Sequence, residues 1–242
     1  MSKKPAYIKM YEVIKEEIVN GEYAVKEFLP TEPELEKSFN VSRTTVRRAI
    51  DLLSREGLVY VKQGRGTQVL DYKTKQNLNY VTSISETLRQ KGYEITSKSM
   101  YIDFIPASPR LAENLEVNAG DQLVRIQRIQ LAGGVPFVIM RNYLIPAKVP
   151  GIEQYVNKFT SLYEFLEDRY NIIIDSVRDS ISAKSADFAE SNMLDVPVGS
   201  AILYIRRVCY EGNKPVSADR VSIIGEKYEL EVNTVGRHKL TD

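Results

Sequence analysis

The chain has 242 residues, of which 43% are hydrophobic and 27% charged, and its formal net charge is +1. This apolar content is enough for a folded core and excludes a disordered chain, and the length suits one large domain or two small ones. The single cysteine, Cys209, and the single histidine, His238, exclude an internal disulfide, a structural zinc site and a Ser–His triad. We therefore expect no metal and no cofactor.

Membrane and export signals are also missing from the sequence. No run of residues approaches the ~18 apolar residues of a membrane span, and no signal peptide opens the chain. We therefore expect a soluble cytoplasmic protein with no membrane partner.

The first part of the chain carries the signals of three helices. Apolar residues recur at helical spacing over residues 6–20, which predicts an amphipathic helix. Thr31 followed by Glu34 is a capping box, which starts a second helix by pairing two amides that would otherwise lack acceptors. Ser42 is placed to cap a third helix that runs to about Glu56.

The third predicted helix has one apolar and one basic face. At 100° per residue the apolar side chains share one face: Val46, Ala49, Ile50 and Leu53. Hydroxyl and charged side chains centre the other face: Thr44, Arg48, Asp51 and Arg55. Short strands at 58–61 and 67–70 follow, joined by a loop in which Gly64 and Gly66 permit close backbone approach. This order of elements is typical of a winged helix-turn-helix.

Positive charge is concentrated in this segment. Residues 40–67 contain six arginines and lysines against two acidic residues, a local net charge of +4 compared with +1 for the whole chain. A basic helix and loop of this kind form the electrostatic footprint expected for contact with nucleic-acid phosphates. The arrangement predicts a DNA-binding domain over residues 1–70.

A polar segment without periodicity, residues 71–79, is predicted to be a linker, and residues 80–235 form a second domain before a short tail, 236–242. The second domain alternates apolar-rich strands with short helices, which predicts an antiparallel sheet with helices. The predicted helices are 84–91 and one opening at Ser161, and the predicted strands are 121–131, 135–145, 172–183, 200–210 and 215–224. The fold class is therefore α+β.

Residues 7–70 resemble the GntR family of bacterial transcription regulators. The resemblance is carried by the segments Leu29–Leu35, Val41–Ala49, Glu56–Leu58 and Gln63–Thr67. Val25–Lys26 departs from the Pro-Gly turn of many members. The resemblance implies that the helix starting at Arg43 reads the major groove, while the loop around Arg65 enters the minor groove. The implied DNA-contacting residues are Thr31, Ser42, Arg43, Thr44, Thr45, Arg47, Arg48, Arg65 and Gly66.

Residues 80–232 resemble the UTRA domain of the HutC subfamily, which has a chorismate-lyase-like fold and senses small molecules. The carrying segments are Thr82–Ser83, Ile105–Ala107, Leu123–Arg128, Gly134–Pro136, Tyr143–Pro146, Ser161–Tyr163 and Gly225–Tyr228. In sugar-phosphate-sensing relatives an anion lies against a helix start, an arginine and a Ser-x-Tyr pair. The resemblance implies that Thr82, Ser83, Arg128, Ser161 and Tyr163 bind the effector. We add four further candidates from the same domain, namely Gln130, Met140, Arg220 and Tyr228.

Departures from the sugar-phosphate pattern narrow the set of possible ligands. Gln130 replaces a second arginine of some relatives, and Met140 replaces a glutamate of amino-sugar-phosphate sensors. We therefore expect a different sugar phosphate rather than N-acetylglucosamine 6-phosphate, and a non-sugar carboxylate stays open.

The resemblance predicts a homodimer that binds a palindromic double-stranded operator and represses a carbohydrate uptake or catabolic operon until the effector releases it. Two alternatives are open from the sequence. One is residual lyase activity in the second domain, but the fused DNA-binding domain and the missing acid–base pair argue against it, so we expect no enzyme. The other is an architectural DNA-binding protein with no ligand.

Overall fold

Met10, Ile14 and Ile18 follow one another at helical spacing and are almost completely buried, so the first helix packs through one apolar stripe. The computed structural model describes residues 4–62, 64–70 and 73–235, and the chain divides into two units at Tyr72 and Lys73. His238 and the predicted tail lie outside the described residues. The elements of the first unit are α1 (Ala6–Val19), α2 (Glu32–Phe39), α3 (Arg43–Arg55), β1 (Val59–Lys62) and β2 (Gly66–Val69).

The helix ends follow the capping signals in the sequence. The Glu34 carboxylate accepts a hydrogen bond of 2.7 Å from the Thr31 amide, and Ser42 accepts from the amide of Thr45 at 3.4 Å. Asn40 adopts a left-handed conformation with φ of 49°, which ends α2 and turns the chain into α3. The helix-turn-helix predicted from these residues is therefore present.

The wing is broader than the predicted hairpin. Strands β1 and β2 pair antiparallel from Val59 opposite Val69 to Lys62 opposite Gly66. The segment before α2 pairs with β2 as a third extended segment. The Leu29 amide donates to the Thr67 carbonyl, and the Val69 amide donates to the Glu27 carbonyl, both at 2.8 Å. The wing is thereby tied to the helices by main-chain hydrogen bonds.

The second unit is a six-stranded antiparallel sheet with a helix pair on each face. Its sheet order is β4-β5-β6-β9-β8-β7. A separate parallel pair joins β3 to β10. The bounds are β3 (Thr74–Asn77), α4 (Ile84–Gln90), β4 (Ile95–Pro106), α5 (Pro109–Leu115), β5 (Gln122–Ala132), β6 (Val135–Leu144), α6 (Leu162–Tyr170), β7 (Ser176–Ser185), α7 (Phe188–Leu194), β8 (Ala201–Glu211), β9 (Lys214–Ile224) and β10 (Tyr228–Glu231).

Side chains that alternate along each strand build two separate cores. On the first face, Leu88 of α4 and Leu166 of α6 are fully buried against apolar side chains of the sheet. On the second face, Leu115 of α5 and Leu194 of α7 are buried against the opposite side of the same strands. We refer to these as the α4/α6 face and the α5/α7 face.

The structure corrects two boundaries of the sequence analysis. Residues 74–77, expected in the linker, form strand β3, in which Thr74 and Gln76 are buried. The strand expected at 172–183 is Ser176–Ser185, since residues 172–175 instead lead out of α6 and carry buried Ile172 and Ile174. Apolar content alone did not separate this packed loop from the strand.

Candidate nucleic-acid interface and ligand pocket

The predicted DNA-contacting residues lie on α2, α3 and the wing of one unit. Most of their side chains are exposed, whereas Thr45 is half-buried beside the Ser42 hydroxyl at 3.0 Å. The apolar side of α3 packs into the core, as Val46, Ala49 and Leu53 are completely buried. The helix thus presents its hydroxyl and guanidinium groups to solvent.

Glu32, which the sequence analysis did not single out, organises two of the arginines. Its carboxylate accepts hydrogen bonds from Arg43 Nε at 2.9 Å and from Arg47 Nε at 3.2 Å. The pKa of Glu32 is lowered, chiefly by the hydrogen bond from Arg43. One carboxylate therefore holds two guanidinium groups side by side at the start of α3 while leaving both more than half exposed.

Arg48 and Arg65 are held differently. The Arg48 guanidinium lies 5.9 Å from the ring centroid of Tyr7, a cation–π contact with α1. Arg65 is exposed at the wing turn, between Gly64 and Gly66, both of which have positive φ. A Cβ at Gly66 would also lie 3.3 Å from the Phe28 ring, so this position requires glycine for two reasons.

A second candidate site lies on the α4/α6 face of the sheet, around Arg128. This arginine is only 2% exposed, and burial lowers the pKa of its guanidinium to about 10. Its Nη1 donates to the Thr160 carbonyl at 2.8 Å, and its Nη2 donates to Asn142 Oδ1 at 3.2 Å. Its Nε is buried and has no hydrogen-bond partner among the residues that the structure describes. Within this part of the chain, the cation is therefore buried with one donor unused and no carboxylate in direct contact.

The same pocket is lined by Arg207, which, unlike Arg128, forms an ion pair with a carboxylate. Arg207 forms two hydrogen bonds of 2.7 Å with the Asp179 carboxylate. Burial is the largest single influence and lowers the pKa of Arg207, but the hydrogen bonds and charge interactions with Asp179 and Tyr163 together outweigh it and raise the pKa. Arg207 also donates to the Thr82 carbonyl at 3.0 Å and to the Tyr163 hydroxyl at 3.3 Å. This arginine links β7, β8 and the starts of α4 and α6.

Asp219 is a buried carboxyl beside these cations. Burial raises its pKa above the ordinary value of aspartate, and its Oδ1 has no hydrogen-bond partner. Burial likewise raises the pKa of the Tyr163 hydroxyl, which lies 3.2 Å from the Cys209 thiol. The site therefore contains two buried arginines, the Asp179 carboxylate paired with one of them, and the separate Asp219 carboxyl, all on a sheet face covered by helices.

Not every predicted effector residue lines this pocket. Ser83, Arg128, Met140 and Tyr163 do. Four others form hydrogen bonds around the pocket. Gln130 donates to the Thr160 carbonyl, and Ser161 caps α6. The Thr82 carbonyl accepts from Gln76 and Arg207, and the Tyr228 hydroxyl donates to Gln76. Sequence reasoning missed several lining residues, namely Gln76, Ser85, Asn142, Arg207 and Asp219.

Arg220 corrects one prediction. It directly follows Asp219 on β9, and side chains alternate between the two sides of a strand. Because the Asp219 carboxyl contacts Cys209 on the α4/α6 face, the Arg220 side chain lies on the α5/α7 face. It therefore cannot bind the same ligand as Arg128.

The ligand pocket is narrow. Its volume is about 30 Å³, roughly the space of one water molecule. The segment 157–160 closes one side, where the Phe159 ring lies under the Arg128 guanidinium at 5.4 Å. A depression of about 370 Å³ lies against the same segment, lined in part by Thr96 and Lys158.

Among residues 4–62, 64–70 and 73–235, no helix is long and apolar enough to cross a membrane, and no cluster of three metal-binding side chains is present.

Comparison with known proteins identifies both domains. Residues 6–69 match the family described as bacterial regulatory proteins, gntR family, and residues 90–229 match the UTRA domain. The HTH-type transcriptional repressor NagR of Bacillus subtilis is 31% identical over 93% of this chain and 92% of its own length. The mannosyl-D-glycerate transport/metabolism system repressor MngR of Escherichia coli is 27% identical over 84% of each chain.

Solved structures support the same fold. The crystal structure of PhnF from Mycobacterium smegmatis superimposes with a TM-score of 0.65, covering 94% of this chain and all of that one, at 22% identity. The matched families and relatives are transcriptional regulators rather than enzymes, which confirms the non-enzymatic prediction. The order of a DNA-binding domain and an effector domain, shared over nearly the full chain, places this protein in the gntR family of bacterial regulatory proteins, as a transcriptional repressor of the HutC type with a UTRA domain.

Proposed function

We propose that this repressor binds a palindromic operator of a carbohydrate uptake or catabolic operon as a homodimer, and that a small anionic effector, first of all a sugar phosphate, releases it. The observation that carries the effector proposal is the buried Arg128, which has an unused Nε donor and no carboxylate partner among the described residues. Helices α2 and α3 and the wing carry the DNA part of the proposal.

The proposed DNA contacts follow from exposure and chemistry. Arg43 and Arg48 can each grip the O6 and N7 atoms of a guanine in the major groove, while Arg65 enters the minor groove beside Gly66. The remaining predicted residues bind the sugar-phosphate backbone: Thr31, Ser42, Thr44, Thr45 and Arg47.

Glu32 has a role in this docking step. Phosphate groups that approach the start of α3 compete with the Glu32 carboxylate for Arg43 and Arg47. Glu32 thus keeps two cations in place before DNA arrives without burying them. Its charge also limits attraction to DNA of unrelated sequence.

Effector entry requires movement of the segment 157–160. A sugar phosphate is much larger than the 30 Å³ pocket, whereas the adjoining depression of about 370 Å³ is large enough to admit one. An anionic oxygen would replace the Thr160 carbonyl as the acceptor for Arg128, which gives a charge-assisted hydrogen bond in place of a neutral one. Displacing Thr160 also frees Gln130, which donates to the same carbonyl at 2.6 Å.

A sugar is favoured over a simple anion by the neighbouring acceptors. Asp219 Oδ1 is buried without a partner, and Asn142 and Ser83 also line the pocket. These groups suit ligand hydroxyls, which donate as well as accept. The relative MngR is named for a mannosyl-D-glycerate system, a sugar that carries a carboxylate, so a carboxylated sugar is the second candidate.

The test measures operator binding by fluorescence anisotropy, using promoter fragments from upstream of the repressor gene and its neighbours. A panel of sugar phosphates and matched carboxylates is then added at constant ionic strength. We expect one ligand to weaken operator binding by about fivefold or more and to raise the melting temperature of the protein.

Two variants separate the functions. Arg128→Gln is expected to keep operator affinity and to lose release, whereas Arg169→Gln, which removes an exposed arginine of α6, is expected to keep both. Circular dichroism checks that both variants are folded. A panel in which no ligand shifts either operator binding or melting temperature would refute the sugar-phosphate proposal.

A further inference from the structure

A row of arginines crosses the sheet on the α5/α7 face, opposite the Arg128 pocket. Arg141 of β6 pairs in register with Arg220 of β9, which pairs with Arg206 of β8. Residues directly opposite each other on antiparallel strands have Cβ atoms about 5 Å apart, and like charges in such positions repel. Arg141 donates to Gln127 Oε1 at 2.8 Å, so a neutral acceptor rather than a carboxylate holds it.

Arg206 and Arg220 line a groove with two further arginines. The groove has a volume of about 440 Å³, and Arg178 of β7 and Arg110 of α5 complete its cationic lining. In the part of the chain that the structure describes, none of these four arginines has a carboxylate within ion-pair distance. Four positive charges therefore surround one space large enough for a small ligand.

Two ion pairs are already formed near this face. Arg125, one register row away, is paired with Asp103 at 2.8 Å. Glu190 of α7 accepts from Lys184 at 2.6 Å. Asp219 borders the groove only through its backbone, because its carboxyl lies on the α4/α6 face. Among the described residues of this face, the arginines without a carboxylate partner are thus the four of the groove and Arg141, in register with Arg220.

The groove also contains unused hydrogen-bond donors. Arg206 Nε is buried without an acceptor, and Ser180, Tyr204 and Asn114 add hydroxyl and amide groups to the lining. An unpaired buried donor and repelling cross-strand charges both cost stability. A bound anion would offset both costs at once. Its negative charge would reduce the repulsion, and its oxygens would accept paired hydrogen bonds from the guanidinium groups.

We propose that this groove is a second anion site, which takes a small ligand with phosphate groups and is separate from the effector pocket on the other side of the sheet. The site would let a phosphorylated metabolite or inorganic phosphate stabilise the effector domain independently of the ligand that binds Arg128. The proposal does not depend on the identity of that effector.

The experiment uses the full chain, in chloride buffer free of phosphate and sulfate. Isothermal titration with inorganic pyrophosphate, and separately with inorganic phosphate, is run against sodium chloride of equal ionic strength. We expect saturable binding to the wild-type protein, weakened about tenfold or more in the double variant Arg206→Gln/Arg220→Gln. Without the anion, this variant is expected to melt no lower than wild type, because it removes a repulsion.

Two control variants test whether binding takes place in the groove. Arg125→Gln removes one charge from the same face outside the groove, and Arg128→Gln disables the effector pocket; both are expected to bind pyrophosphate within about twofold of wild type. Comparing the pyrophosphate and phosphate arms separates a ligand with several phosphate groups from a single free phosphate.

Three results would overturn the proposal. One is a wild-type response no larger than that to chloride, and another is binding lost in Arg128→Gln but kept in the double variant. The third is a double variant that binds pyrophosphate normally but loses operator affinity or changes mass by light scattering, which would make the groove a DNA or subunit contact instead.

Discussion

Arg48 tests the proposed base contact at the scale of one residue. It is exposed, sits in the N-terminal half of α3, and contacts the Tyr7 ring rather than a carboxylate. Arg48→Ala is expected to lose about 1–3 kcal/mol of operator binding and to relax discrimination at one base pair. Anisotropy titrations against the operator and single-base variants of it measure both effects.

Arg55 provides the matched control on the same helix. It lies in the last turn and is paired with Asp51 at 2.8 Å, far from the helix end that we propose enters the major groove. Arg55→Ala removes the same charge, and its expected effect is small and equal for all sequences. If Arg48→Ala behaved like Arg55→Ala, Arg48 would be a phosphate contact or no contact.

Resemblance to a known domain could predict part of the candidate pocket. Ser83, Arg128 and Tyr163 stand in segments that resemble a known domain, and they do line one cavity. Arg207 and Asp219 were missed because their proximity to Arg128 depends on strand register, which a single sequence does not fix. Arg220 was assigned to the wrong face for the same reason, since a shift of one position along a strand reverses the side-chain direction.

At the scale of elements, Lys26 marks a strained turn before α2. Its φ is +73°, in the left-handed region, at the site where the sequence departs from a Pro-Gly turn. A non-glycine residue in this region costs roughly 1 kcal/mol. Lys26→Gly is therefore expected to raise the free energy of unfolding by up to about 1 kcal/mol, measured by urea denaturation.

Lys37 supplies the opposite control for that substitution. It is an exposed residue inside α2, where glycine loses helix propensity by about 1 kcal/mol. Lys37→Gly should thus lower stability while removing the same side chain. A loss of stability in Lys26→Gly as well would show that the lysine side chain, rather than its backbone conformation, determines the stability at position 26.

Elements with local signals were predictable, and elements defined by distant partners were not. The starts of α2 and α3 follow from Thr31 and Ser42, whose side chains act within one helical turn. Strand β3 has no such signal, because Thr74 and Gln76 are polar. They are buried because β3 pairs with β10, and Gln76 accepts a hydrogen bond from Tyr228 at 2.7 Å, 152 positions later in the chain.

At the scale of the whole molecule, two units with different tasks must be coupled for an effector to release DNA. The structure shortens the expected linker, since residues from Thr74 onward belong to a strand of the second unit. By thermodynamic linkage, an effector can lower operator affinity only if it favours a state that binds DNA poorly.

We expect the connection between the units to set the strength of regulation. Inserting Gly-Ser-Gly between Tyr72 and Lys73 adds flexible chain at the unit boundary. We expect operator affinity without effector to stay within about threefold, because local concentration changes slowly with linker length. The effector-induced loss of operator affinity, about fivefold or more in the unmodified protein, is expected to fall below about twofold. Anisotropy titrations with and without the releasing ligand give both numbers.

The same tripeptide inserted after Gly212, in the exposed turn between β8 and β9, is the control and should leave regulation intact. Full release in the Tyr72 insertion variant would show that coupling does not pass through the connection.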